Sequence, residues 1–177
     1  MSNFTYKNLT KLEPDFISIG IKNENNKNFK VISEKKKHKF ILAKNKINSK
    51  ESLSWKVKIN KITGWMAFGL TEKEKLEKNQ YKFCGFNNQS YSCFLVSSNK
   101  HLWNSNFQSQ NNLFLEELSS YENGEEINFN FSADENILRF YYKGFQGALK
   151  NVVIEEKDLV PCFILIAKND EIEVNYY

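Results

Sequence analysis

Residues Ser54-Trp55-Lys56-Val57-Lys58-Ile59-Asn60 alternate apolar and polar side chains without a break. A strand turns successive side chains to opposite faces, so Trp55, Val57 and Ile59 share one face while Lys56, Lys58 and Asn60 share the other. This is the signature of a strand with one dry and one wet side. Glu125 to Phe131 repeats it, with Ile127, Phe129 and Phe131 inward and Glu126, Asn128 and Asn130 outward. Further segments read as short strands: Phe16 to Ile21, Phe29 to Ser33, Lys39 to Ala43, Trp65 to Leu70, Tyr91 to Ser97, His101 to Asn104, Ile137 to Tyr142, Ala148 to Ile154, Pro161 to Ala167 and Glu171 to Tyr176. So many short strands predict an all-β sandwich or barrel. Trp55, by its face, and Trp65, at the start of a strand apolar on both sides, are expected in the core.

Only one segment reads as helical. Thr71-Glu72-Lys73-Glu74 has the spacing of a capping box, and Lys75 to Asn79 continues the turn, predicting one short peripheral helix. Asn23 to Asn28 and Gln108 to Asn112 read as polar loops, and Ser132 to Asn136 as a hairpin turn. Lys143-Gly144-Phe145-Gln146-Gly147 is expected to close the following strand with its two glycines.

A chain of 177 residues, 41% hydrophobic and 26% charged, is the size of one domain with a core that needs no metal or disulfide. No segment approaches the roughly 20 apolar residues of a membrane span, and the first residues form no secretory apolar run. The expectation is a cytoplasmic protein with no membrane association. Cys84, Cys93 and Cys162 make an odd number without a Cys-x-x-Cys pair, and all are expected to be reduced. Asn3, Asn8, Asn88 and Asn130 begin glycosylation sequons, which chance supplies in a chain this rich in Asn. Asn and Lys are abundant and Arg139 is the sole arginine, pointing to AT-rich codons.

The formal charge is +4, but 15 lysines face 5 acidic residues up to Lys61, whereas 10 basic face 16 acidic residues beyond it. Early and late strands pair in an antiparallel sandwich, so the two populations are expected to interleave in space. Lys35-Lys36-Lys37-His38-Lys39, with Lys44, Lys46 and Lys50, could meet phosphates. A charge run is usually a solvated turn, and the aromatics sit at alternating strand positions, so nucleic acid is not the expected partner.

Catalytic inventories are thin. A Ser/His/Asp or Cys/His site would have to use His38, which sits among lysines, or His101, which shares a strand face with Trp103 and reads as packed or solvated rather than as a base for Cys93. Glycosidases on sandwich folds need paired carboxylates, and the best strand offers Glu126, Asn128 and Asn130. Glu171 and Glu173 share a face but read as a wet sheet surface. There is no Gly-rich phosphate loop, His-x-x-x-His pair or acidic calcium loop, so no enzyme, metal or cofactor is expected.

Five pieces in order carry a resemblance: Trp55-Lys56-Val57-Lys58-Ile59, Gly64-Trp65-Met66-Ala67-Phe68-Gly69-Leu70, Asn123-Gly124-Glu125-Glu126-Ile127-Asn128-Phe129, Ile137-Leu138-Arg139-Phe140-Tyr141-Tyr142-Lys143-Gly144 and Val160-Pro161-Cys162-Phe163. Together they resemble the SPRY domain, as a divergent member, across roughly residues 16–177, with 1–15 as a lead-in. The resemblance implies a bent, concanavalin-like antiparallel sandwich of about 11 to 13 strands. It also implies a protein-interaction module that holds a peptide or protein partner through loops at one end. With no room for a RING or F-box domain beside the sandwich, the expected role is an adaptor or a fixed subunit of a larger assembly. Tyr81, Phe86 and Phe107, in long polar segments, and Trp103, at a strand end, are the candidate partner-binding residues, either as anchors or as plugs over the open end. The rival class is a carbohydrate-binding, less readily a carbohydrate-cleaving, sandwich.

Overall fold

The structure is a computed structural model that describes residues 2–4, 16–19, 28–33, 39–43, 47, 52–78, 93–104, 112–150, 152 and 159–177. Its described strands form two seven-stranded sheets. The first sheet runs, in spatial order, β1 (Ser2–Phe4), β3 (Asn28–Ile32), β14 (Glu171–Tyr176), β5 (Leu53–Lys61), β10 (Glu126–Ser132), β11 (Ile137–Tyr142) and β12 (Phe145–Leu149). The second runs β2 (Phe16–Ile19), β4 (Lys39–Ala43), β13 (Leu159–Leu165), β6 (Met66–Glu72), β7 (Cys93–Ser97), β8 (His101–Asn104) and β9 (Asn112–Phe114). Pairing is antiparallel except where β1 meets β3 and β2 meets β4. The all-β expectation holds, with one short helix among the described residues, α1 (Lys73–Lys78), beside β6.

The inner faces of both sheets form one core. Trp55, Val57 and Ile59 are fully buried in β5, and Trp55 stacks on Phe129 of β10 with ring centroids 5.0 Å apart. Phe163 of β13 meets Phe29 of β3 edge to face at 5.9 Å, bridging the two sheets. Such aromatic pairs add about 0.5 to 1.5 kcal/mol each beyond the area they bury. Leu118 and Tyr121, in the connection from β9 to β10, close one side, with Tyr121 stacked on Phe68 at 5.4 Å.

The outward face of the first sheet is wet, and on it the basic and acidic parts of the chain interleave. Lys30 pairs with Glu171 at 2.6 Å and Lys56 with Glu126 at 3.1 Å, while Lys58 lies in register between Glu126 and Glu173. The second sheet has no wet face along β6, β7 and β13: every residue of these strands is buried. Its outward side chains, among them Ala67, Leu95, Cys162 and Ile164, form a second apolar cluster with Leu76 of α1 and Trp103.

Several local expectations need correction. Trp65 is outside the main core; it precedes β6, is half-buried against the outer cluster, and donates from Nε1 to Asn99 Oδ1 at 2.9 Å. Thr71 lies within β6, paired with Cys93 and Val160, and the helix starts at Lys73. Lys143 and Gly144 both have positive φ, 47° and 79°, which a tight two-residue hairpin turn of the primed type requires. β12 therefore begins at Phe145, and Gly147 is a strand residue whose missing side chain makes room for the Phe140 ring, 2.1 Å from where a Cβ would sit. Asn112 opens β9 rather than ending a loop. Cys93 is disulfide-bonded, whereas Cys162 is free and buried. The expectation of three reduced thiols is overturned, and the cysteine count no longer argues for a reducing compartment.

Candidate functional site

Strand register sorts the loops by end. Thr71 pairs with Cys93, Phe94 with Asn104 and Trp103 with Asn112, so the segments 73–92 and 105–111 leave the second sheet and return to it at one end. Val160 pairs with Thr71 at that end, and in the first sheet Tyr176 pairs with Trp55 there. The opposite end carries the 62–65 turn, the 166–170 turn, the Lys143–Gly144 hairpin and the strand ends at Ile32 and Lys39.

Tyr81, Phe86 and Phe107 lie outside the described residues. Trp103 lies within them and is 8% exposed. It sits on the outward face of β8, where Nε1 donates to Ser97 Oγ at 3.2 Å and the His101 ring lies 6.0 Å away. Trp103 is therefore packed against the outer face of the second sheet rather than exposed. His101 shares its face with Phe114, 5.3 Å between centroids, and its Nδ1 lies 2.9 Å from the Asn99 carbonyl oxygen. A Cys93–His101 nucleophilic pair has no thiol to work with, since Cys93 is disulfide-bonded. The Lys35–Lys37 run and His38 lie outside the described residues.

Several titratable groups among the described residues tie the fold together. Asp170, fully buried at the far end, accepts from Thr63 N at 2.7 Å, Thr63 Oγ1 at 2.9 Å and Ala167 N at 2.8 Å, clamping the 62–65 turn to the 166–170 turn. Nothing in the sequence marked it, because its partners lie 107 residues away or in its own turn. Tyr142 donates to Ser120 O at 3.0 Å and accepts from Glu122 N at 3.1 Å, and burial pushes its hydroxyl above the ordinary range. Burial does the same to Tyr121, aided by neighbouring Tyr142; its hydroxyl donates to Val96 O at 3.0 Å. The Cys162 thiol is pushed up by burial alone. Among the described residues no group of three His, Cys, Asp or Glu side chains is placed to hold a metal ion.

No protein-family model matches the chain, and no curated protein does. Solved structures do. A human SPRY domain is 12% identical, with a TM-score of 0.60 over 85% of this chain and 92% of its own. The SPRY domain of human HERC1 is 18% identical, with a TM-score of 0.54 over 80% of this chain and 83% of its own. The chain has the SPRY fold. Against that fold, the exposed aromatics on described residues are few: Phe114, beside His101, and Tyr141 and Tyr177 on the wet face of the first sheet. Among the described residues no helix is long and apolar enough to cross a membrane.

Proposed function

We propose that this SPRY-fold chain is a non-catalytic interaction module that grips a peptide or protein partner at the end of the sandwich from which residues 73–92 and 105–111 emerge. The observation that carries the reading is strand register: two long polar segments bearing Tyr81, Phe86 and Phe107 start and finish at one end of a rigid double sheet. Recognition residues are commonly borne by loops on such scaffolds, and aromatic side chains bury much area at low entropic cost. The chain acts as an adaptor or a fixed subunit, with Tyr81, Phe86 and Phe107 as anchors. Affinity capture from the native source tests this. Joint replacement of Tyr81, Phe86 and Phe107 by Ala abolishes partner recovery while leaving the melting temperature nearly unchanged. Undiminished recovery by that variant refutes the site and makes the lysine run at residues 35–39 the next surface to alter.

The second reading is carbohydrate binding. It is favoured by the wet face of the first sheet, where Asn175, Lys56, Asn128, Tyr141 and Gln146 form one cross-strand row and Tyr177 Oη lies 3.5 Å from Asn128 Oδ1. Glycan-array binding that Tyr141→Ala and Tyr177→Ala abolish would support this reading over the first.

A further inference from the structure

β12 ends the first sheet, and its outer edge has no neighbour among the described strands. The tight turn at Lys143–Gly144 fixes which of its backbone groups are left over. In a two-residue hairpin the residues flanking the turn exchange both main-chain hydrogen bonds, and bonded pairs alternate from there. Phe145, Gly147 and Leu149 therefore bond to Tyr142, Phe140 and Leu138 of β11, while the N–H and C=O groups of Gln146 and Ala148 point away from the sheet. No other hydrogen bond takes up those groups, and both residues are exposed. Beyond the strand the chain stays on the β11 side, where Val152 N donates to Asn136 O at 2.9 Å.

Natural proteins blunt an open edge with charge, proline or a bulge, yet residues 144–149 hold no charge and no proline, and the register with β11 is unbroken. The cations beside the edge are neutralised within the chain: Lys143 lies 2.6 Å from Glu122 and 3.4 Å from Glu125, and Arg139 lies 2.6 Å from Glu135. The edge is also its own complement. A two-fold axis at Gly147 sets Gln146 against Ala148 of a second copy, and Ala148 against its Gln146, so every free backbone group of the strand finds a partner. Phe145 then faces Leu149 of the copy and Lys150 faces its Gly144, so apolar meets apolar and no like charges are opposed. Moving the axis one residue toward the turn would set Ala148 against Gly144, which has positive φ, and moving it the other way would set Gln146 against Lys150, beyond the strand end. We propose that the β12 edge is a self-association surface, through which two copies of this chain join antiparallel into one continuous sheet. So short an edge makes a dimer that forms with rising concentration rather than a permanent one. This surface is distinct from the loop end proposed to hold a partner, and it stands whether or not that reading does.

Sedimentation equilibrium tests it: the weight-average mass rises with concentration from 20.8 kDa toward twice that value. Ala148→Pro removes an N–H that faces the open edge and spares the ladder to β11, so by symmetry the dimer loses one hydrogen bond from each copy. Its dissociation constant rises by about tenfold. Gln146→Lys, at an exposed position, places a lysine on each side of the axis and weakens the dimer as well, which keeps the test open if the proline variant fails to fold. A chain that remains monomeric up to millimolar concentration overturns the proposal, even if another protein's strand pairs with the edge. A dimer that Gln146→Lys and a folded Ala148→Pro both leave intact overturns it too. Hydrogen exchange gives the local readout, with the Gln146 and Ala148 amides fast in dilute protein and slowed in concentrated protein. Exchange at these two amides that does not depend on concentration overturns the assignment of the surface.

Discussion

β5 and β6 are consecutive strands joined by a short turn, yet they live in different surroundings. In β5 alternate residues are buried, whereas in β6 all of them are. The first sheet therefore needs only one covering layer, and it turns a face of paired charges and amides to water. The second sheet is packed on both sides, with the main core within and a smaller apolar cluster without. A continuous apolar run such as Met66-Ala67-Phe68-Gly69-Leu70 signals a strand covered on both faces, and an alternating run signals one covered on a single face.

The sharpest way to break this contrast is chemical labelling of Cys162, which lies on the outward side of the second sheet. If that side is sealed, iodoacetamide leaves Cys162 untouched in the native protein. Raising the pH within the native range does not help, because burial holds the thiol protonated well above the ordinary cysteine range. Under denaturing, non-reducing conditions mass spectrometry should count one alkylated thiol. Rapid native labelling would show an open outer face, and three labels would deny the disulfide at Cys93.

Truncation probes the two layers next. Trp55→Ala, in the shared core, should cost about 3 to 5 kcal/mol in urea unfolding. Leu95→Ala, on the outward side of the second sheet, should cost about 2 to 4 kcal/mol, while Asn128→Ala, on the outward side of the first, should stay within about 0.5 kcal/mol. Equal costs at Leu95 and Asn128 would erase the distinction between the faces. Gly69→Ala should cost on the order of 1 to 3 kcal/mol, because Gly69 has φ of 154° and a Cβ there would lie 2.0 Å from the Phe94 carbonyl oxygen. Circular dichroism melts would register a neutral substitution if β6 and β7 are not held this close.

The smallest effect concerns the exposed Glu135–Arg139 pair beside the first sheet. Hydrogen bonds from Arg139, at 2.6 and 2.9 Å, and then from the Ser132 hydroxyl hold the Glu135 carboxyl below its ordinary range. A lowered folded pKa means that the contribution is complete above the unfolded-state value and fades as pH falls through the folded one. Glu135→Gln should therefore match the wild type at acidic pH and be slightly weaker at neutral pH, with the difference shrinking in salt. A difference that grows on acidification would reverse the assignment.

Legibility followed the range of the physics. Alternation in β5, β10 and β14 could be read off because side-chain direction along a strand is a local property, and these strands came out with correct faces. The turn at Lys143–Gly144 was drawn too long, because both glycines of Lys143-Gly144-Phe145-Gln146-Gly147 read as closing the strand. Gly147 turned out to be reserved for the Phe140 ring, a cross-strand demand with no local mark. Trp65 looked like Trp55, but the second sheet is buried on both sides, so an apolar residue beside it can belong to either cluster. Of the candidate site, the aromatic content of the long polar segments was legible, whereas the burial of Trp103 was not.

What local sequence could settle, then, was the strand content, the wet face of the first sheet and the presence of apolar runs needing two covers, since each follows from the two-residue repeat of the extended chain. Which strands meet was left to the folded chain. Lys30 finds Glu171 and Thr63 finds Asp170 only because β14 returns between β3 and β5. The same crossing of distant strands puts Ile32 and Lys39 at one end of the sandwich and Thr71, Cys93 and Asn104 at the other. Distances of this kind depend on pairing between remote segments, and no local pattern encodes them.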